Sequence, residues 1–351
     1  MIKIKDKKEK MFWGLRIFLL IVIAIFGMIR HDFDFLKYYD AQCYLEIAKN
    51  GYSMENLYAF FPLFPLLIKL FSFVFRSYII SGLLINFICS IINYYIIEKL
   101  VDDKNRLWLY IFSPIVIFFS IIYTESLFLM LTLLSFYYYK KEKKIVSSLF
   151  IGLSIVTRNT GAILFFAMLI DYFYNIYKNK KINYKELFLF IMIPIGIGSL
   201  YPLYLYYRMD NLLYFVDVQY IFWGRESLFF VIGFINDIKF IITTGFSLFE
   251  VYLVGLNWIF TIYGFYLCIK IFKKDRISSI YGILSIIVFV SSFRDIVYWK
   301  TIASISLFRY VLGLYPIYLY SDLMKNKCVA FVVRIVCLCN IFLYMLGLFI
   351  G

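Results

Sequence analysis

Apolar runs of roughly 17 residues or more recur from one end of this chain to the other, each long enough as a helix to cross about 30 Å of hydrocarbon. No other feature restricts the fold as much. In lipid every backbone polar group needs an internal partner, which leaves helices and closed barrels. The runs are continuous rather than alternating apolar and polar, which argues against a barrel. Composition agrees: 63% of the 351 residues are hydrophobic, against the 45–50% or so of a soluble domain. A chain this apolar does not stay disordered. The expectation is an all-α polytopic membrane protein, forming a single integral membrane domain over residues 1–351.

The formal charge of +14 invites a nucleic-acid reading, but the placement of the charge opposes it. Lys and Arg sit in short clusters between apolar runs, as in cytoplasmic loops. The N-terminal MIKIKDKKEK precedes a run from about 11 to 29 that carries Arg16 and has no small-residue cleavage site, so it reads as an uncleaved first span with a cytoplasmic N-terminus. Placing the remaining clusters (99–106, 140–144, 178–185, 270–276 and 325–327) on that same side requires about eleven transmembrane helices: 11–29, 77–98, 107–122, 124–139, 145–157, 161–177, 186–207, 248–270, 277–293, 302–321 and 328–350. Inside loops then hold 22 basic and 9 acidic residues, and the outer face 11 and 12. The excess charge is almost entirely a topology signal. Residues 30–76 become a long first extracytoplasmic loop, whose stretch 60–75 is amphipathic or re-entrant, and 208–247 become a second extracytoplasmic segment, interrupted by Asp237 and Lys239.

Several chemistries are excluded or disfavoured. His31 is the only histidine, which removes His-based triads and multi-histidine metal sites. The six cysteines form no metal-type pair and no loop framework, so neither zinc nor a disulfide is expected. No glycine-rich phosphate loop is present. The 40 Phe and 33 Tyr are read as lipid-facing bulk rather than as a sugar- or base-stacking surface.

Ionisable groups near membrane depth mark function by default. In this layout they gather on the outer side: Asp32, Asp34 and Asp40 after the first span, Glu125 in a tight turn, Arg158 and Asn159 in another, Gln219, Trp223 and Arg225 in the second outer segment, and Arg309 inside an apolar run. Each has a plain alternative. Glu125 suits a helix N-terminus; Arg158 and Asn159 suit a polar turn; Arg225 suits a solvated loop. Arg309 requires an anionic partner, either a ligand or a carboxylate such as Glu125. Arginines pair with phosphate oxygens and a carboxylate takes a proton from a hydroxyl. Together they fit transfer of a group from a lipid phosphate to an alcohol.

Five ordered blocks carry a resemblance. FLKYYDAQCYLEIAKNGY followed by AFFPLFPLLIKL, then FSPIVIFFSIIYTESLFLMLTLLSFYYY, GLSIVTRNTG, FVDVQYIFWGR and SISLFRYVLGLYPIYL resemble, in order, the motifs of the PIG-V mannosyltransferases of the GT-C superfamily. Tyr38 and Tyr39 stand where the family has Arg and Trp, and Ser113 where it has Asn before Pro114. The resemblance implies a GT-C-like fold and a glycosyltransferase that moves mannose from a polyprenyl-phosphate donor to a lipid-linked or glycan hydroxyl on the extracytoplasmic side, with inversion. It implies Asp40 as general base; donor-phosphate contacts from Arg309, with Arg158 and Arg225; and substrate contacts from Tyr39, Glu125, Asn159, Gln219 and Trp223. Phosphate is already a good leaving group, so neither metal nor cofactor is expected. The expected partners are the donor, a glycolipid or glycan acceptor and the bilayer, with no nucleic acid. A prokaryotic cell membrane is the expected location, or the endoplasmic reticulum membrane in a eukaryote. The rival readings are a transporter or flippase, and a GT-C enzyme using another polyprenyl-linked hexose.

Overall fold

The computed structural model describes residues 6–227, 229–245, 247–296 and 300–350. Among the described residues the regular structure is helical apart from one two-stranded ladder. It divides into two compact units: residues 1–51, 64–133 and 318–350 form the first, and 52–63 with 134–317 the core of the second.

The first unit begins with α1, Lys7–Arg30, whose N-terminus is capped by Asp6 accepting from the Lys8 and Glu9 amides. Phe12, Leu15, Leu19 and Ile23 form its buried stripe, while Ile17, Phe18, Ile21 and Ile25 are exposed on the other side. An apolar helix with an exposed apolar face has the surface expected against lipid tails. Arg16, inside this helix, donates to Ser120 Oγ at 3.0 Å and stacks over Phe12 and Tyr110. The helices α2 (Asp40–Asn50), α3 (Leu63–Phe75), α4 (Tyr78–Leu100), α5 (Leu107–Ile111) and α6 (Glu125–Lys140) follow, the last passing from the first unit into the second. α3 holds 13 residues, about 20 Å of helix. It is one of the shorter apolar helices and occupies the stretch 60–75 that was expected to be amphipathic or re-entrant.

Two expected spans do not run as single helices. In 107–122, helix stops at Ile111 and the chain continues through turns to Thr124. Pro114 lacks an amide and disfavours helical backbone at Ser113. The freed carbonyls are met from elsewhere. Asn86 on α4 donates to Ile121 O and to Tyr123 O, the latter at 2.8 Å; Asn93, seven residues on and so on the same face, donates at 2.9 Å to Ser126 O in the first turn of α6 that follows. Asn340 donates to Pro114 O at 2.9 Å. Irregular backbone is tolerated at membrane depth only when buried in protein, and Ile115 to Phe119, Ile121 and Ile122 are all fully buried. Asn86→Leu is therefore expected to leave two buried carbonyls without their donor, at about 1–3 kcal/mol each. The midpoint of thermal unfolding in detergent should drop further than for Asn93→Leu, which affects one carbonyl.

The second exception is 302–321. It comprises turns, then α15 (Leu307–Leu312) and α16 (Tyr315–Tyr320), interrupted at Gly313. Ser306, which caps α15, has φ +73°, a left-handed conformation that no continuous helix passes through.

In the second unit, α7 (Lys144–Ile155) packs on α8 (Gly161–Asn179) and α9 (Tyr184–Gly198). α10 (Leu200–Met209) and α11 (Tyr214–Trp223) lead to strand β1 (Arg225–Ser227). α12 (Phe230–Thr244), α13 (Leu248–Lys270) and α14 (Arg276–Phe289) lead to strand β2 (Ser292–Arg294), which pairs antiparallel with β1. α17 (Lys327–Met345) returns to the first unit. Among the described residues five helices are long and apolar enough to cross a membrane: Lys7–Arg30, Tyr78–Leu100, Tyr184–Met209, Leu248–Lys270 and Lys327–Met345. The shorter apolar helices Lys144–Ile155 and Arg276–Phe289 occupy two further runs in which a full span was expected.

Candidate active site

Each unit assembles part of the polar constellation. In the first, Asp40 is the first residue of α2 and is half-buried. A carboxylate there is favoured by the positive end of the helix. Tyr39, just before it, has φ +56°, an unusual conformation for a side chain of this size that costs about 1–3 kcal/mol. Its hydroxyl donates to the Gly347 carbonyl and its ring lies 4.5 Å from that of Phe349, contacts that help to hold the turn. The tyrosine expected to bind substrate is thus tethered through its hydroxyl, with its ring partly exposed. The Cys43 thiol, three residues along α2 from Asp40, is pushed up to about 12 by burial and by the Asp40 charge, so it holds little thiolate near neutral pH.

Glu125, buried, opens α6. Its turn meets that of Asp40 at two points: Tyr123 donates its hydroxyl to Tyr38 O at 3.4 Å, and the hydroxyls of Tyr44 and Thr124 are 3.4 Å apart. The α2 and α6 N-termini are thereby brought together. Ser113, in place of the family's Asn, has its hydroxyl 3.0 Å from that of Tyr318.

The second unit gathers the arginines. Arg158 follows α7 in a turn closed by the Gly161 amide donating to its carbonyl at 2.9 Å. Only glycine fits at 161, because a Cβ would lie 2.5 Å from the backbone at Ser154 and Ile155. Asn159 is an exposed residue of this turn. Arg225 is set by Gly224, whose φ of +60° ends α11. Its guanidinium donates to Ser292 O at 3.3 Å and to Ile305 O and the Tyr310 hydroxyl at 3.4 Å, so it is not a solvated loop charge. Trp223 donates Nε1–H to Asn56 O at 3.3 Å and meets Phe60 edge to face, which fastens it to the FFPLFP segment. Gln219 lies one turn earlier on α11, half-buried. Arg309 is buried in α15 and donates to the Tyr310 hydroxyl at 3.4 Å.

These arginines converge on one ring. The guanidinium carbons of Arg158, Arg309 and Arg225 lie 5.0, 5.1 and 5.9 Å from the centre of Tyr310. Cation–π attraction is worth about 0.5–2 kcal/mol per contact. Mutual repulsion of three cations opposes it, and an anion among them reverses the sign of the balance. In the β-ladder Arg225 and Arg294 are directly opposed in register, so their side chains leave the same face. Tyr310 and Arg294 were not singled out in the sequence. The signal for Tyr310 was its place beside Arg309; Arg294 carried none. The cavity bordered by Lys144, Tyr172, Asn175, Lys181, Asn183 and Glu186, about 550 Å³, lies elsewhere, toward the far end of α8 from Arg158. That helix of 19 residues puts about 28 Å between the arginine turn and the lysine-rich loop.

A family model described as mannosyltransferase (PIG-V) matches residues 20–242. The chain belongs to the PIG-V mannosyltransferase family. The match includes Asp40, Glu125, Arg158, Asn159, Gln219, Trp223 and Arg225, and ends before Arg294, Arg309 and Tyr310. Among curated proteins the family member resembles GPI mannosyltransferase 2 of Drosophila melanogaster, 31% identical over 26% of this chain and 25% of the relative. It also resembles GPI mannosyltransferase 2 of Drosophila pseudoobscura pseudoobscura, 28% identical over the same shares. The chain thus spans about a quarter of the length of the curated relatives it matches. No solved structure matches it. Both relatives are eukaryotic, so the comparisons lend no support to the expected prokaryotic membrane.

Proposed function

We propose that this protein transfers mannose from a polyprenyl-phosphate donor to a hydroxyl of a glycolipid, on the extracytoplasmic face of the membrane. The observation that carries the reading is the gathering of Arg158, Arg225 and Arg309 on Tyr310 in a chain of the PIG-V family. Three guanidiniums gathered on one ring suit a phosphate monoester anion far better than a neutral sugar. The curated relatives are named for mannosyl transfer to GPI, which favours a glycolipid acceptor.

In this mechanism Asp40 accepts the proton of the acceptor hydroxyl while its oxygen forms a bond to the anomeric carbon. The bond from that carbon to the phosphate oxygen breaks on the opposite face, giving inversion. Polyprenyl phosphate leaves with the electron pair, its new charge met by Arg309, Arg158 and Arg225. Glu125, Asn159, Gln219 and Trp223 are assigned to sugar contacts or to orienting the arginines, and the partly exposed ring of Tyr39 to the acceptor. The N-terminus is cytoplasmic and the chain crosses eleven times. The crossings at 107–122 and 302–321 run through protein interior as broken segments.

The test is transfer by the purified protein in detergent. Polyprenyl-phosphate-mannose with a panel of glycolipid acceptors is expected to yield a mannosylated lipid, identified by mass spectrometry. Nucleotide-linked mannose is expected to yield none. Transfer from the nucleotide donor, or from neither, overturns the reading.

A further inference from the structure

We propose that Asp237, with Asn257, is a positioning residue that aims Arg309 at the donor phosphate. Asp237 lies in a mostly apolar helix and is fully buried, on the same face of α12 as Gly233 and Phe240. A buried carboxylate is costly unless its oxygens are satisfied. Here both are used. Trp258 donates Nε1–H to Oδ2 at 2.7 Å, and the Ser304 amide donates to Oδ1 at 3.0 Å. Asn257, also buried, completes the frame: its Nδ2 donates to Ser304 Oγ at 3.1 Å and its Oδ1 accepts the Phe308 amide at 2.8 Å.

The segment so held begins α15. Ser306 adopts φ +73°, and its carbonyl accepts the Tyr310 amide at 3.1 Å. A side chain two or three residues beyond such a turn moves with it. Six residues of helix with a strained cap do not fix their own direction, so the direction of Arg309 is set by what grips Ser304 and Phe308. A carboxylate suits the task because it accepts from a backbone amide and an indole at once, and those charge-assisted bonds are the strong kind. Asp237 touches neither phosphate nor sugar. It acts through Ser304, and the inference rests on the reading that Arg309 holds the donor phosphate.

The experiment is a double-mutant cycle on the KM for polyprenyl-phosphate-mannose, with acceptor KM and thermal midpoint measured alongside. Asp237→Ala is expected to raise donor KM about tenfold, the equivalent of one lost charge-assisted contact, with acceptor KM unchanged. Asp237→Asn keeps an oxygen for the Ser304 amide but turns its amide nitrogen toward the Trp258 N–H, and is expected to restore the donor affinity in part. Lys239→Gln, exposed on the same helix, is the control and should match the parent protein. In the Arg309→Ala background, Asp237→Ala is expected to add nothing to donor KM, since the group it aims is gone. Full additivity, or equal losses for donor and acceptor, overturns the positioning role. If Arg309→Ala alone leaves donor KM unchanged, the phosphate assignment has failed instead. If Asp237→Ala does not fold, the Asn257→Asp variant carries the same cycle: it keeps the acceptor for Phe308 and loses the donor to Ser304.

Discussion

Asp40→Asn is expected to abolish mannosyl transfer and leave the protein folded. A positioned general base contributes about 10²–10⁴ to the rate. The amide has the shape of the carboxylate but does not take the proton, so kcat should fall by at least about 100-fold with substrate KM values little changed. The structural cost is small by comparison. At the first turn of α2 the Asp40 charge contributes about 0.3–1 kcal/mol through the helix dipole. The turn itself is held by Tyr39 on Gly347 and by Tyr123 on Tyr38, contacts that the substitution does not touch. Turnover in the purified variant, with an unchanged thermal midpoint, is the measurement. Retained turnover would remove Asp40 from the base role.

Arg309→Ala is expected to raise donor KM between about 10- and 150-fold, the range set by 1.5–3 kcal/mol for a hydrogen bond to a charged group. Acceptor KM should stay near the parent value. Arg309→Lys keeps the charge without the fork and should fall between the two. Arg225→Ala differs in kind, because that guanidinium also holds Ser292 O and Ile305 O, and its loss should lower the thermal midpoint as well. Competition by polyprenyl phosphate that bears no sugar separates phosphate binding from sugar binding. Equal competition in parent and Arg309→Ala would make Arg309 a structural residue.

The site residues were legible in unequal measure. Asp40 is unremarkable in composition and is singled out only by the Tyr-Leu-x-Ile-Ala-x-x-Gly-Tyr segment that follows it. Arg309 stood out because an arginine in an apolar run must be explained. Asp237 was visible only as an interruption of an amphipathic stretch, and its partners Trp258 and Ser304 lie on other elements. Arg294 had no local mark, since its register opposite Arg225 is a property of two strands far apart in the chain.

The sequence by itself determined that this is a helical chain suited to lipid, that its positive charge is sorted by loop, and that its ordered motifs are those of the PIG-V family. Those properties are local: run length, loop composition and short spacing are read without knowing what packs on what. The tertiary structure alone decided where the apolar runs stop being helix, because the donors that replace the helical bonds at 112–124 come from Asn86 and Asn340. It alone decided that Arg158, Arg225 and Arg309 share the ring of Tyr310. Periodicity specifies which face of a helix is buried, and packing selects which buried faces meet.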